Sequence, residues 1–249
     1  MSTVNAGWRG PNIVKEGLVL YLDAESPTSY SPYNSGNTWK DISGNLRNAT
    51  MNGTVPFVDS NPKYFNYTNT PNYFVGNSNL TGSISDAITI TSWIKVTDIT
   101  KRSTIFDKYQ TVNPPGYSLE VGTVSGLWTN TIRFYLQGTT ALNGIDARGA
   151  TNAVTQGNIC MITATFNYPT RVCKLYVNAS EITFTNPNAT AGISADWSQS
   201  PNNYSLGSFR PEELLDAAMQ QYNVAVYNTV LSVQQVLQNY NATRTRFNL

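Results

Sequence analysis

The stretch Thr38-Trp39-Lys40-Asp41-Ile42-Ser43-Gly44-Asn45 decides the reading of this chain. Asp and Asn beside Gly bond their own backbone and set tight turns. Asp41 is therefore read as holding a loop that carries Trp39 into a core. Asp41, Ser43 and Asn45 also carry the oxygen types that calcium takes. Asp41 and Asn45 thus stand as a metal alternative, with the turn role preferred. Upstream, Leu18, Leu20 and Leu22 alternate with Val19, Tyr21 and Asp23, the pattern of a half-buried strand. Downstream, Ala49-Thr50-Met51-Asn52-Gly53 reads as a second, more polar strand.

The absences narrow the chemistry. The chain has no His, which excludes His-based triads and His zinc sites. Its two cysteines, Cys160 and Cys173, are too few for a thiolate cage. They fall in two strands read as a hairpin turning near Asn167 to Thr170. That register sets Cys173 across from about Ala164, so both are read as free buried thiols. Charged residues are only 12% of the chain, with 16 basic against 15 acidic, a net charge of +1 and no basic stripe. This argues against a nucleic-acid partner. Met1 to Glu16 carries no apolar run like a signal peptide's, and no stretch has the length and apolarity of a membrane span. Synthesis in the cytoplasm is expected. The triplets at Asn48, Asn66, Asn178 and Asn241 are read as chance in an Asn- and Thr-rich chain.

Strand signals fill most of the remaining length. Ala87 to Val96 alternates, with Ile88, Ile90, Ser92 and Ile94 on one side and Thr89, Thr91, Trp93 and Lys95 on the other. Further strands are expected over 63–67, 72–76, 103–108, 117–122, 131–137, 159–166, 171–178, 204–207 and 220–227. Such spacing predicts an all-β sandwich. One helix is expected over about 232–243, with Ser232 and Gln235 as a capping box. Val233, Val236, Leu237 and Tyr240 would form its apolar face, laid over the edge of the sandwich. The chain divides into an extended arm, 1–16, and one domain, 17–249, that ends in the helix.

The opening segments, together with Ile88-Thr89-Ile90-Thr91-Ser92-Trp93-Ile94-Lys95, the 161–166 and 172–178 hairpin and Val224-Ala225-Val226-Tyr227, resemble a laminin-G-like jelly roll. That fold belongs to the concanavalin A-like lectin and glucanase superfamily. The resemblance implies a two-sheet antiparallel jelly-roll sandwich. Gly10-Pro11-Asn12-Ile13-Val14 and the 239–247 ending are similar to lectin-like proteins of tailed bacteriophages, many of them virion components. This implies a capsid decoration or fibre protein at the virion surface, self-associating and docked on a capsid or other virion protein. Trp8 and Arg9 are the docking candidates in the arm.

Glucanases of the superfamily imply an enzymatic alternative. The resemblance implies a Glu-x-Asp-x-x-Glu strand for it, and the chain has none. Glu120 and Glu181 stand without acidic neighbours. The preferred reading is a non-catalytic, lectin-like protein with no obligatory cofactor that contacts host glycans. A sugar ring stacks on an aromatic platform while amides and carboxylates bond its hydroxyls. Trp128, Tyr109, Tyr117 and Trp197, all read in or beside loops, are the candidate platforms. Trp93, inside a strand, is assigned to the core.

Overall fold

A computed structural model describes residues 12–33, 35–68, 72–76, 80, 84–108, 116–124, 128–138, 144–184, 195–198, 203–208 and 217–249. Two antiparallel sheets account for the described strands. The first runs Ser180–Ile182, Val172–Val177, Ile159–Asn167, Ala87–Val96, Met219–Gln221, Tyr64–Tyr67 and Phe57–Val58. Asn223–Tyr227 also pairs with Ala87–Val96 and carries Leu18–Asp23 on its other side. The second sheet runs Gly144–Arg148, Trp128–Gln137, Gly116–Val124, Arg102–Asp107, Ser205–Leu206, Tyr73–Gly76, Ala49–Asn52 and Thr38–Trp39.

Alternation builds the core between the sheets. Ile88, Ile90 and Ile94 of the first sheet meet Leu119, Val121, Ile132 and Phe134 of the second, all fully buried. At one end Trp39 packs against Phe65, with ring centroids 4.5 Å apart, and Phe65 against Phe74 at 4.7 Å. The turn after Trp39 is built as its residues foretell. The Asp41 carboxylate accepts from the backbone N–H groups of Tyr21, Ser43 and Arg47 and from the Ser43 hydroxyl, each at 2.9 Å. Asn45 donates its amide to the Leu18 and Val19 carbonyls. With donors on both oxygens, Asp41 is committed to the turn. This geometry speaks against Asp41 and Asn45 as metal ligands.

The outer face of the first sheet is apolar and covered. Trp93, Met161, Tyr176 and Tyr227 point away from the core and are buried by Val233–Thr243, Phe247 and the segment before the first strand. Trp93 stacks on Phe247 at 4.3 Å, and its indole N–H donates to Thr243 Oγ1 at 2.7 Å. The capping box forms at Ser232 and Gln235. The helix lies on the face of the sheet, not over its edge, and the expected apolar stripe is displaced. Val236, Asn239 and Thr243 are the buried positions, while Val233 and Leu237 remain 46% and 45% exposed. Asn239 and Thr243 are buried because each bonds a neighbour. Asn239 Oδ1 accepts from Val14 N at 2.8 Å.

That contact also moves the end of the arm. Ile13 and Val14 are buried in the same cluster, so the folded body begins before residue 16. The hairpin turn falls at 168–171, and Cys173 pairs with Phe166, two residues from the expected register. Both cysteines are free, and burial pushes the Cys160 thiol up to about 12. The expected 220–227 strand is two, Met219–Gln221 and Asn223–Tyr227. Strands at 144–148 and 180–182 escaped the sequence reading.

Candidate functional site

Burial removes three of the four expected sugar platforms. Tyr117 lies in the strand Gly116–Val124, fully buried, and stacks on Phe106. Trp197 sits in the single helical turn Ala195–Ser198, fully buried, edge-on to Tyr117 at 5.8 Å and to Phe166 at 5.4 Å. Trp128 opens the strand Trp128–Gln137 and is also buried. A ring without an open face cannot stack on a sugar, so these residues are packing, not platforms. The misreading has a common root: an aromatic beside turn residues looks exposed until the packing around it is known. Tyr109, Trp8 and Arg9 lie outside the described residues.

Paired charged and polar side chains gather instead on the outer face of the second sheet. Leu119, Ile132, Phe134, Ile145 and Ala147 point into the core. Their alternates Ser118, Glu120, Arg133, Tyr135, Asp146 and Arg148 therefore share the opposite face. Arg133 stands directly across from Glu120 on one side and from Arg148 on the other. Arg102 reaches the same group from the neighbouring strand Arg102–Asp107.

These side chains form one continuous ladder. Arg102 grips Glu120 with two bonds, Nε at 3.0 Å and Nη2 at 2.6 Å, and the Ser118 hydroxyl donates to the same carboxylate at 2.5 Å. Arg133 reaches Glu120 at 3.4 Å and forks onto Asp146 at 2.7 and 3.1 Å. Arg148 forks onto Asp146 from the far side, at 3.2 and 2.7 Å. Two like charges facing each other across strands are destabilising. Asp146, bound by both Arg133 and Arg148, removes that repulsion. Arg133 also lies over the Tyr135 ring at 4.4 Å, and the Tyr135 hydroxyl donates to Gln137.

Electrostatics fixes the protonation state of the ladder. Burial pushes Glu120 up, but the Arg102 and Arg133 guanidinium groups outweigh it and hold the carboxyl below its usual range. Asp146 behaves alike: desolvation is overcome by its bonds to Arg133 and Arg148. Both acids are ionised at neutral pH. Glu120 is fully buried, Arg102, Arg133 and Asp146 are 12–13% exposed at their side chains, and Arg148 is 24%. Among the described residues no group of His, Cys, Asp or Glu is arranged to hold a metal, and no helix is long and apolar enough to cross a membrane.

Sequence reasoning noted Glu120 but missed its partners. The signal was present as Arg133-Phe134-Tyr135 and Asp146-Ala147-Arg148, charges at period two on what are adjacent strands. Without the strand 144–148 there was no reason to bring them together.

The comparisons with known proteins agree with this architecture. The family described as the concanavalin A-like lectin/glucanases superfamily matches residues 68–237. No curated protein sequence matches the chain. Among solved structures, the receptor-binding domain of the botulinum neurotoxin C/D mosaic serotype superposes with a TM-score of 0.67 at 15% identity, over 92% of this chain and 52% of that one. The binding domain of Paraclostridial Mosquitocidal Protein 1 gives 0.63 at 18% identity, over 92% and 52%. A structure of botulinum neurotoxin type C, whose cell entry depends on interaction with two ganglioside molecules, gives 0.64 at 17% identity, over 92% and 51%. The chain thus spans about half the length of these structures, and the likeness is one of fold.

Proposed function

We propose, from the premise that this chain belongs to the concanavalin A-like lectin/glucanases superfamily, that it is a non-catalytic adhesion domain that binds glycans on the outer face of its second sheet. The observation that carries this reading is the guanidinium–carboxylate ladder from Arg102 to Arg148. Its charges are fixed in direction by bidentate bonds, so a ligand meets donors already in place. Arg148 is the most exposed rung and the natural contact for sugar hydroxyls or carboxylates. The two ionised acids favour binding over hydrolysis, and incubation with laminarin is expected to release no reducing ends. Ganglioside binding by a protein of the same fold is consistent with this use of the scaffold.

The test is a glycan array read with the wild type and Arg148→Ala. Loss of the wild-type signal in a variant that still unfolds cooperatively, within a few degrees of wild type, supports the face. An unchanged array profile overturns it. Arg148 is partly exposed and Asp146 keeps its Arg133 partner, so alanine there should cost about 1 kcal/mol of stability.

The setting proposed is a bacteriophage particle, with the chain as a capsid decoration or fibre component attached through its N-terminal segment. The similarity of Gly10-Pro11-Asn12-Ile13-Val14 and of the 239–247 ending to phage-encoded lectin-like proteins supports it. Because Ile13 and Val14 are core residues, the informative deletion is 1–11. It is expected to abolish particle attachment, scored by mass spectrometry of purified particles, while leaving the domain folded. Full attachment of the truncated chain would rule the docking role out.

A further inference from the structure

The helix Val233–Thr243 closes the outer face of the first sheet with one side and leaves apolar surface on another. Val236, Asn239 and Thr243 are buried against the sheet. Val233 and Leu237, one turn apart, stay exposed and are not among the side chains packed on the apolar cluster beneath. A lone exposed apolar residue is ordinary on a protein surface. Among the described residues six large apolar side chains are exposed, and only these two share a secondary-structure element. At that spacing they are neighbours on the helix surface.

The first described residue sits on the same helix. Asn12 O accepts from Gln238 Nε2 at 3.1 Å, and Val14 N donates to Asn239 Oδ1 at 2.8 Å. The arm, residues 1–11, therefore joins the fold beside Leu237, at a point held by two bonds. Its one aromatic is Trp8. Four residues separate Trp8 from Asn12, so a fully extended chain keeps it within about 14 Å of that point. Leu237 lies next to Gln238, and Val233 is one helical turn further, about 5.4 Å along the axis. Both fall inside that reach. The crest of the helix between Gln238 and Leu237 carries Gln234 and Asn241, both exposed. Residues 233–243 hold no charged side chain, so covering them desolvates no ion.

We infer that the arm crosses this crest and packs Trp8 on Val233 and Leu237 of its own chain. A short tether holds the indole at an effective concentration on the order of millimolar. That favours the chain's own helix over the helix of a second copy at micromolar protein. In this position the aromatic proposed for docking is stowed, and a partner has to draw it off the helix before engaging it. The inference goes beyond the proposed function. Its test uses the free chain, so its failure leaves the particle reading standing.

The experiment is acrylamide quenching of tryptophan fluorescence. Trp39, Trp93, Trp128 and Trp197 are buried, so the difference between wild type and Trp8→Phe reports Trp8. That signal should be quenched at least threefold less than N-acetyltryptophanamide in the same buffer, and equally on dilution of the protein. Leu237→Ser, at an exposed position, should raise quenching to the free value, and Val233→Ser should raise it in part. Thermal melts check that both variants stay folded. Trp8 quenched like the free indole in wild type overturns the inference, and so does folded Leu237→Ser with Trp8 still protected. Protection that vanishes on dilution would place the indole on a second copy and overturn it as well.

Discussion

The two sheets present outer faces of opposite character. On the first, Trp93, Met161 and Tyr227 are covered by the chain's own helix and by Phe247. On the second, the alternating positions hold Arg102, Glu120, Arg133, Asp146 and Arg148, tied to one another by charge-assisted bonds. The apolar face is stabilised by volume and cannot be left wet. The polar face is held by pairing and tolerates water at its exposed rung. Each pattern follows from the same period of two, and the difference lies in which residue types fall on the outward positions. The comparison shows one face closed by apolar volume and the other by paired charge, the second partly open only at its Arg148 end.

The largest effect should come from the covered face. Trp93→Ala removes the stack on Phe247 and the bond to Thr243, and it should cost about 3–5 kcal/mol, as large aromatic truncations do. Urea unfolding measures it, and a cost under about 1 kcal/mol would show that the helix is not seated on Trp93. The ladder should respond to pairing instead. Glu120→Ala leaves two guanidinium groups facing a buried void and should cost about 3 kcal/mol, in the range for breaking a buried pair. Adding Arg102→Met should recover part of that loss, because it removes an uncompensated charge. A double variant as unstable as the sum of the singles would break the contrast.

Acid should separate the faces next. Glu120 and Asp146 have folded values below their unfolded ones, so the unfolded chain binds more protons at acid pH. Their contribution is present above the unfolded carboxylate range, about pH 4, and is lost as pH falls through the lower folded values. The melting temperature should drop across that window, and Glu120→Gln should make the drop shallower while Trp93→Ala leaves its slope unchanged. The smallest effect expected is Ser232→Ala. Losing the helix N-cap should cost about 1 kcal/mol, read as a small fall in melting temperature with glycan binding intact.

Much of the frame was legible because strand alternation and turn chemistry are local. The strand at Ala87–Val96, its inward Ile residues, the buried Trp93, the Asp41 turn and the capping box all stand where their residues place them. The site was less legible. Trp128, Tyr117 and Trp197 are indistinguishable from exposed aromatics until packing buries them. The helix stripe misled for a related reason: Asn239 and Thr243 enter the interior only because Val14 and Trp93 supply partners from far along the chain.

By itself the sequence determined an all-β sandwich whose strands each have one apolar and one polar side, closed by a capped helix. It did so because side-chain alternation, hydrogen-bonding turns and caps act over a few residues. Only the tertiary structure decided which polar sides meet. Glu120, Arg133 and Asp146 lie on three strands whose register is set by pairing between distant segments. A charge becomes part of a ladder only once that register is fixed.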